Sequence, residues 1–371
     1  MSVSSPYAYI DTPALLIDMD VVGKNIGLMQ KKADDFGVAL RPHTKTHKMP
    51  ALARMQLRAG ARGLTVAKTG EAEVMAREGF DDIFIANEIV GEDKLRRILK
   101  LHRTMRVIVG VDNKEQILAM ARIFDGQSRP LPLRIEIEVG ENRTGVLTVE
   151  QAVELSRVIR SFPCLETEGI FCHEGHTYKA DTLDECRKMC LESHQRMLMF
   201  AQALRADGER LDTVSAGATP SMLTSPVLKG ITEIRPGTYI LMDAAQGRVV
   251  GDYTRAAATV LATVISKPTR ERVVIDAGAK ALTAQRRIGG ICDTPGNGLI
   301  KNGAGARISG VFDEHGIIND GDFWSLVEVG DKIEIIPNHI CPAVNLYDRA
   351  YLVSGGNVVD IVNIEGRGKI S

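Results

Sequence analysis

The sequence has almost no net charge: 46 Lys and Arg stand against 47 Asp and Glu, leaving −1 at pH 7. Proteins that grip nucleic acid normally carry a basic excess, so that class is set aside. No apolar run is long enough to span a bilayer, which excludes a membrane-spanning helix. The opening "MSVSSPYAYIDTPALLID" lacks a basic segment followed by an apolar one. No secretory signal is therefore expected, and a cytoplasmic location is. The cysteines Cys164, Cys172, Cys186, Cys190, Cys292 and Cys341 show no framework spacing. Scattered in this way they read as reduced thiols, with Cys186 and Cys190 packing one helix. Linkers, low-complexity tracts and long repeats are also missing.

What is present is a soluble-type composition, 44% hydrophobic and 25% charged, spread over 371 residues. That length suits one large barrel with a smaller second domain, or two domains of medium size. Short apolar runs recur through the first two-thirds: "GVALR", "GLTVA", "IFIAN", "RVIVGV", "LRIEIEV", "EGIFCH", "DTVSA" and "TEIRP". Most are separated by stretches of 3.6-residue periodicity, such as "GEDKLRRILKLH" and "KEQILAMARIF". Strands alternating with helices imply right-handed βαβ units and a parallel sheet, and eight of them close a (β/α)8 TIM barrel. Near residue 250 the pattern changes to strand runs separated by Gly, Asn and Asp turns. The expected organisation is a barrel over 21–250 and an antiparallel β domain over 251–371, with residues 1–20 joining the latter.

Barrel chemistry sits at the C-terminal ends of the strands. The first strand runs into "RPHTKTHK", which places Lys45 at the mouth. A lysine desolvated there suits Schiff-base chemistry. Glu88 and Asp112 end the third and fourth strands, and Arg143 lies in "GENRTG" after the fifth. The sixth leads into "CHEGHTY", with His173, His176 and Tyr178. "AGATPS" (Gly217, Thr219) and "RPGTY" (Gly237, Thr238) follow the last two strands, where these barrels often hold phosphate. A lysine and a phosphate cradle at one mouth suggest pyridoxal phosphate, although a sugar-phosphate aldolase would present the same pair.

In the β domain, "PNHICPAVN" places His339 and Cys341 two residues apart. On an extended strand they would share one face and form a Zn2+ half-site with open positions.

These segments resemble the D-threonine aldolase and D-serine dehydratase family, pyridoxal-phosphate enzymes of the alanine racemase-like fold type III. The resemblance covers nearly the whole chain, including "DTPALLID", "RPHTKTHK", "ANEIVG", "ENRTGV", "AGATPS", "RPGTYILMD", "PNHICPAVN" and "IEGRGKIS". It implies a homodimer acting on small β-hydroxy-D-amino acids. It implies that Lys45 binds the cofactor, that Arg143 lies near its ring hydroxyl, and that Thr219, Gly237 and Thr238 contact its phosphate. Gly217 and Tyr178 are counted with them, and His339 and Cys341 match the metal ligands. A thiolate favours Zn2+ over Mn2+ or Mg2+. His176 or His173 is the expected base for the substrate hydroxyl. Retro-aldol cleavage of D-threonine-type substrates is the leading expectation. Dehydration of D-serine or 3-hydroxy-D-aspartate comes second, followed by racemisation or non-catalytic cofactor binding.

Overall fold

The computed structural model describes residues 5–371. The chain divides into two compact units. One holds Leu28–Lys45, Leu52–Gly237 and Gly368–Ser371. The other gathers the chain up to Gly27, Thr46–Ala51 and Thr238–Arg367.

Strand β1 (Ala14–Asp18) belongs to the second unit and is followed by helix α1 (Met19–Asp35). The first unit then runs β2 (Ala39–Leu40), α2 (Pro50–Arg58), β3 (Leu64–Val66), α3 (Thr69–Arg77), β4 (Asp82–Glu88) and α4 (Glu92–His102). It continues through β5 (Arg106–Val111), α5 (Lys114–Phe124), β6 (Leu131–Glu136), α6 (Val149–Arg160), β7 (Leu165–Phe171) and α7 (Leu183–Ala206). It closes with β8 (Thr213–Ala216), α8 (Thr219–Thr224) and β9 (Glu233–Ile234). The eight strands pair in parallel in the order β2-β9-β8-β7-β6-β5-β4-β3. A parallel bridge between His43 and Thr65, with Arg62 N donating to Leu40 O at 2.8 Å, joins the two ends of that row. The expected (β/α)8 barrel is therefore formed. Its helices start where capping residues accept first-turn N–H groups, as Asn113 does for α5 and Thr148 and Thr182 do for α6 and α7. The interval after β8 has room only for the single short helix α8.

The barrel interior is not purely aliphatic. Phe84 and Phe171 meet edge to face at 5.0 Å. Beside them lies a lattice of charge, with the Arg134 guanidinium 4.5 Å from the Phe84 ring centroid. Glu233 accepts from Arg41 (2.7 Å), Arg134 (2.5 Å) and Ser215 (2.7 Å), while Arg106 bridges Asp82 and Glu168 at 3.0 Å each. Arg41, Arg134 and Glu233 are buried, so each charge depends on its partners.

The second unit is a sheet of β1 with β10 (Ala258–Thr269), β11 (Arg272–Ile275), β12 (Leu299–Ile300), β13 (Gly310–Val311), β14 (Gly316–Asn319), β15 (Lys332–Ile336), β16 (Arg349–Ser354) and β17 (Asn357–Asn363). Alternate residues of β10, β11 and β15 (Val260, Ala262, Val264, Ile275, Ile333 and Ile335 among them) form its core. The expected antiparallel β domain is formed, with the N-terminal strand joining it and making one parallel pairing. β1 pairs antiparallel with β10 but parallel with β16, because it comes from the far end of the sequence rather than from a hairpin. Among the described residues no helix is long and apolar enough to cross a membrane.

Candidate active site

The segment "RPHTKTHK" divides between the two units. β2 is only two residues long, and after Pro42 the chain turns into a 3-10 helix, Thr44–Thr46, that carries Lys45. Thr44 Oγ1 anchors this turn by donating to Thr65 O at 3.1 Å. Lys45 is half-buried between buried neighbours. Lys48 belongs to the second unit, within which its Nζ donates to Asn345 Oδ1 at 2.9 Å.

Lys45 has two imidazoles as electrostatic neighbours. Burial, and then the charges of Lys45 and Arg235, hold His43 well below the usual 6.5. Burial, then Lys45, Arg143 and Arg235, do the same to His173. Both shifts favour the neutral imidazole over the charged one. Lys45, Arg143 and His43, from three segments of the chain, thus stand in the electrostatic neighbourhood of one another or of His173.

His176 and Tyr178 ride on the 3-10 turn Gly175–Lys179, half-buried. Ser193 Oγ donates to Met189 O at 2.8 Å, so its oxygen accepts from His176 Nε2–H at 3.3 Å. That fixes the lone pair on His176 Nδ1, which is buried with no hydrogen-bond partner. Gly140 lies against this ring; a Cβ there would come within 2.9 Å of it.

Arg143 is half-exposed and bonds Glu136 at 3.4 Å, while Thr144 Oγ1 donates to the other oxygen of Glu136 at 3.0 Å. Glu136 also shares a hydrogen bond with Glu88. Burial first, then Glu136 and Asp112, push the Glu88 carboxyl up to about 9, so Glu88 carries a proton at pH 7.

Sequence reasoning quoted Arg235 within "RPGTY" but gave it no role. Its Nη1 donates to Ser215 Oγ (2.5 Å) and its Nη2 to Cys172 O (2.7 Å). Its guanidinium lies 5.2 Å from the Phe171 ring centroid. Its Nε–H is buried without an acceptor, which costs free energy unless a bound group supplies one. Beside it, Gly217 has φ +125° and approaches Arg235 N so closely that a Cβ would sit 3.2 Å away. The turn from Gly217 leads through buried Thr219 into α8, and Gly237 follows β9, half-buried. An amine, an unpaired buried donor and a glycine-opened turn fit a flat aldehyde cofactor bearing a ring acceptor and a phosphate, such as pyridoxal phosphate.

Thr238, the fourth expected phosphate contact, lies in the second unit, with Oγ1 3.6 Å from Cys341 Sγ. His339 and Cys341 are not on one extended strand. His339 is extended (φ −140°, ψ 110°) and caps the helix Ile340–Val344, on which Cys341 lies. Pro342 falls in the first turn of that helix, where its missing N–H is not needed, so the helix forms despite the strand-like spacing. His339 Nδ1 donates to Gln285 Oε1 at 3.1 Å, leaving Nε2 as a lone-pair donor. Cys341 Sγ donates to Thr46 Oγ1 at 3.2 Å. The fully buried Asp243 accepts from Ile340 N at 3.2 Å, and its carboxyl, pushed up by burial, is pulled back by His339 and Arg287. One imidazole nitrogen and one sulfur beside a buried carboxyl fit Zn2+.

Elsewhere, Glu174, Cys190 and His194 bring ligand-type atoms within 4.8 Å of one another among the described residues. Their protons argue against a metal there. His194 Nδ1 accepts from Leu228 N at 3.4 Å, so Nε2 bears a hydrogen and aims it at Glu174 Oε1, 2.9 Å away.

Residues 17–245 match the family described as "Alanine racemase, N-terminal domain", and residues 257–353 match a "Putative serine dehydratase domain". A D-threonine aldolase from an Arthrobacter species is 33% identical over 98% of this chain and 94% of its own length. The structure of a D-threo-3-hydroxyaspartate dehydratase from Delftia sp. HT23 superposes with a TM-score of 0.89 at 28% identity, covering 97% of this chain and 98% of that one. A cysteine-to-alanine variant of such a dehydratase, in a metal-free form, gives 0.88 at 28% identity over 96% and 98% of the two chains.

Proposed function

The chain belongs to the alanine racemase N-terminal domain family, and on that premise we propose that it is a pyridoxal-phosphate- and divalent-metal-dependent lyase acting on D-amino acids. Its reaction is retro-aldol cleavage of β-hydroxy-D-amino acids of the D-threonine type to glycine and an aldehyde. The observation that carries this reading is the neutral His173 imidazole in the charge field of Lys45. Retro-aldol cleavage needs a base for the substrate hydroxyl that is distinct from the cofactor's lysine.

Bound pyridoxal phosphate would supply an electron sink for a bond at the substrate's Cα. Lys45 Nζ would anchor it, and Arg235 Nε–H would face its ring acceptor. The Gly217 turn, Gly237 and Thr238 would take the phosphate. Arg143, held by Glu136, would offer a donor to the ring hydroxyl. Tyr178 belongs to the same cofactor set. His339 and Cys341 would hold the metal, whose Lewis acidity would lower the pKa of a hydroxyl bound to it. His173, with His176 Nδ1 as the second candidate, takes the proton from the substrate's β-hydroxyl oxygen. Cα–Cβ then breaks, the Cβ oxygen becomes the carbonyl of the aldehyde, and the glycine Cα regains a proton. Zn2+ is the preferred metal because of the Cys341 thiol, with Mn2+ or Mg2+ as alternatives. Assembly as a homodimer is part of the proposal.

The same thiol favours the second reading, dehydration. There Lys45 would take the Cα proton and hydroxide would leave, giving a keto acid and ammonia. D-Threonine deuterated at Cα separates the two. Retro-aldol cleavage leaves that bond intact and should show no primary isotope effect on kcat. A primary effect would assign the chain to elimination.

A further inference from the structure

Glu174 follows His173 in the chain, and its side chain lies in a fully buried layer behind the turn after β8. Its carboxyl gathers three donors. His194 Nε2–H reaches Oε1 at 2.9 Å, Ser221 Oγ–H bonds Oε2, and Cys190 Sγ lies 4.0 Å from both oxygens. Ser221 Oγ in turn accepts from Ala218 N at 3.1 Å. A continuous relay therefore runs from Leu228 N through His194, Glu174 and Ser221 to the backbone of the turn. The relay has a fixed direction. With its hydroxyl hydrogen committed to Glu174, Ser221 Oγ can only accept from Ala218 N–H. Released from Glu174, the same hydroxyl has Ala218 O within 3.0 Å and would donate to it instead.

We propose that Glu174 and His194 are positioning residues that brace the Gly217–Ser221 turn for the phosphate of the cofactor through Ser221, without touching the cofactor. The proposal rests on the pyridoxal-phosphate reading above. A buried polar network with every member satisfied holds its groups in one arrangement, which a phosphate cradle needs. Glu174→Gln keeps the volume but sets an amide N–H against His194 Nε2–H or Ser221 O–H, so it reverses the relay rather than opening a cavity.

The test compares pyridoxal phosphate with pyridoxal, which carries the aldehyde and ring without the phosphate. Affinities are read from the absorption band of the lysine-bound aldehyde. The 31P signal of bound pyridoxal phosphate is recorded beside them. In E174Q the dissociation constant for pyridoxal phosphate should rise about tenfold, the loss of one well-placed hydrogen bond. That for pyridoxal should stay unchanged, and the 31P resonance should shift. S221A removes only the hydroxyl and should reproduce the same phosphate-selective loss, with E174Q/S221A no worse than either single change. If E174Q does not fold, S221A carries the same prediction alone. Wild-type affinity for pyridoxal phosphate in both variants, or equal weakening of both ligands, overturns the brace. If the wild-type protein forms the band with neither ligand, the cofactor reading fails instead.

Discussion

Gln285 accepts a hydrogen bond from Nδ1 of His339 at 3.1 Å. This contact sets the tautomer, since a proton held at Nδ1 leaves the lone pair on Nε2, the nitrogen that would bind a metal. Gln285→Ala should weaken Zn2+ binding about 10- to 100-fold, the usual loss when a ligand histidine loses its orienting partner. Competition with a chromogenic chelator measures this directly, without turnover. Unchanged affinity would mean that His339 is held by other contacts.

Lys45→Ala should abolish the visible absorption band of bound pyridoxal phosphate and all turnover. The barrel should survive, because Lys45 is half-buried on a turn rather than in the core. Absorption and circular dichroism spectra test the two halves separately. A persisting band would move the anchoring role to another lysine.

Glu88 makes stability depend on pH with a definite sign. Burial and Glu136 raise it from 4.5 to about 9, so between those values the folded state holds a proton that the unfolded chain releases. Its contribution is full below pH 4.5 and is lost as pH rises through about 9. Glu88→Gln, which resembles the protonated form, should flatten the fall in melting temperature between pH 7 and 9.5. Parallel wild-type and E88Q curves across that range would show that Glu88 is already ionised at pH 7.

Glu233→Ala leaves Arg41 and Arg134 buried without the carboxyl that joins them. Arg41 keeps Asp82 and Arg134 keeps Glu168, so the loss should be about 1–3 kcal/mol, that of buried charged groups left with fewer hydrogen bonds. Urea denaturation should show a loss of this order. A loss under about 1 kcal/mol would mean that water reaches these groups.

Much of this was legible in the sequence because it is periodic. The β-branched runs and the helical stretches between them set the barrel, and the rule that its chemistry lies at strand C-termini led to Lys45 and His173. Other parts rest on contacts between distant positions that leave no local pattern. Gln285 meets His339 across 54 residues, and Asp243 meets Ile340 across 97. Ser221 meets Glu174 across 47. Arg235 was given no role because an arginine before Pro and Gly looks like part of a turn, and only its orphaned Nε marks it. The spacing of His339 and Cys341 suggested a strand, but a first-turn proline let a helix form.

The central claim is tested most directly by the products. Protein supplied with pyridoxal phosphate and either Zn2+ or Mn2+ is given D-threonine, and glycine, acetaldehyde, 2-oxobutyrate and ammonia are assayed. Glycine and acetaldehyde in equal amounts are the predicted result. 2-Oxobutyrate and ammonia would contradict retro-aldol cleavage and make Lys45 the base that removes the Cα proton.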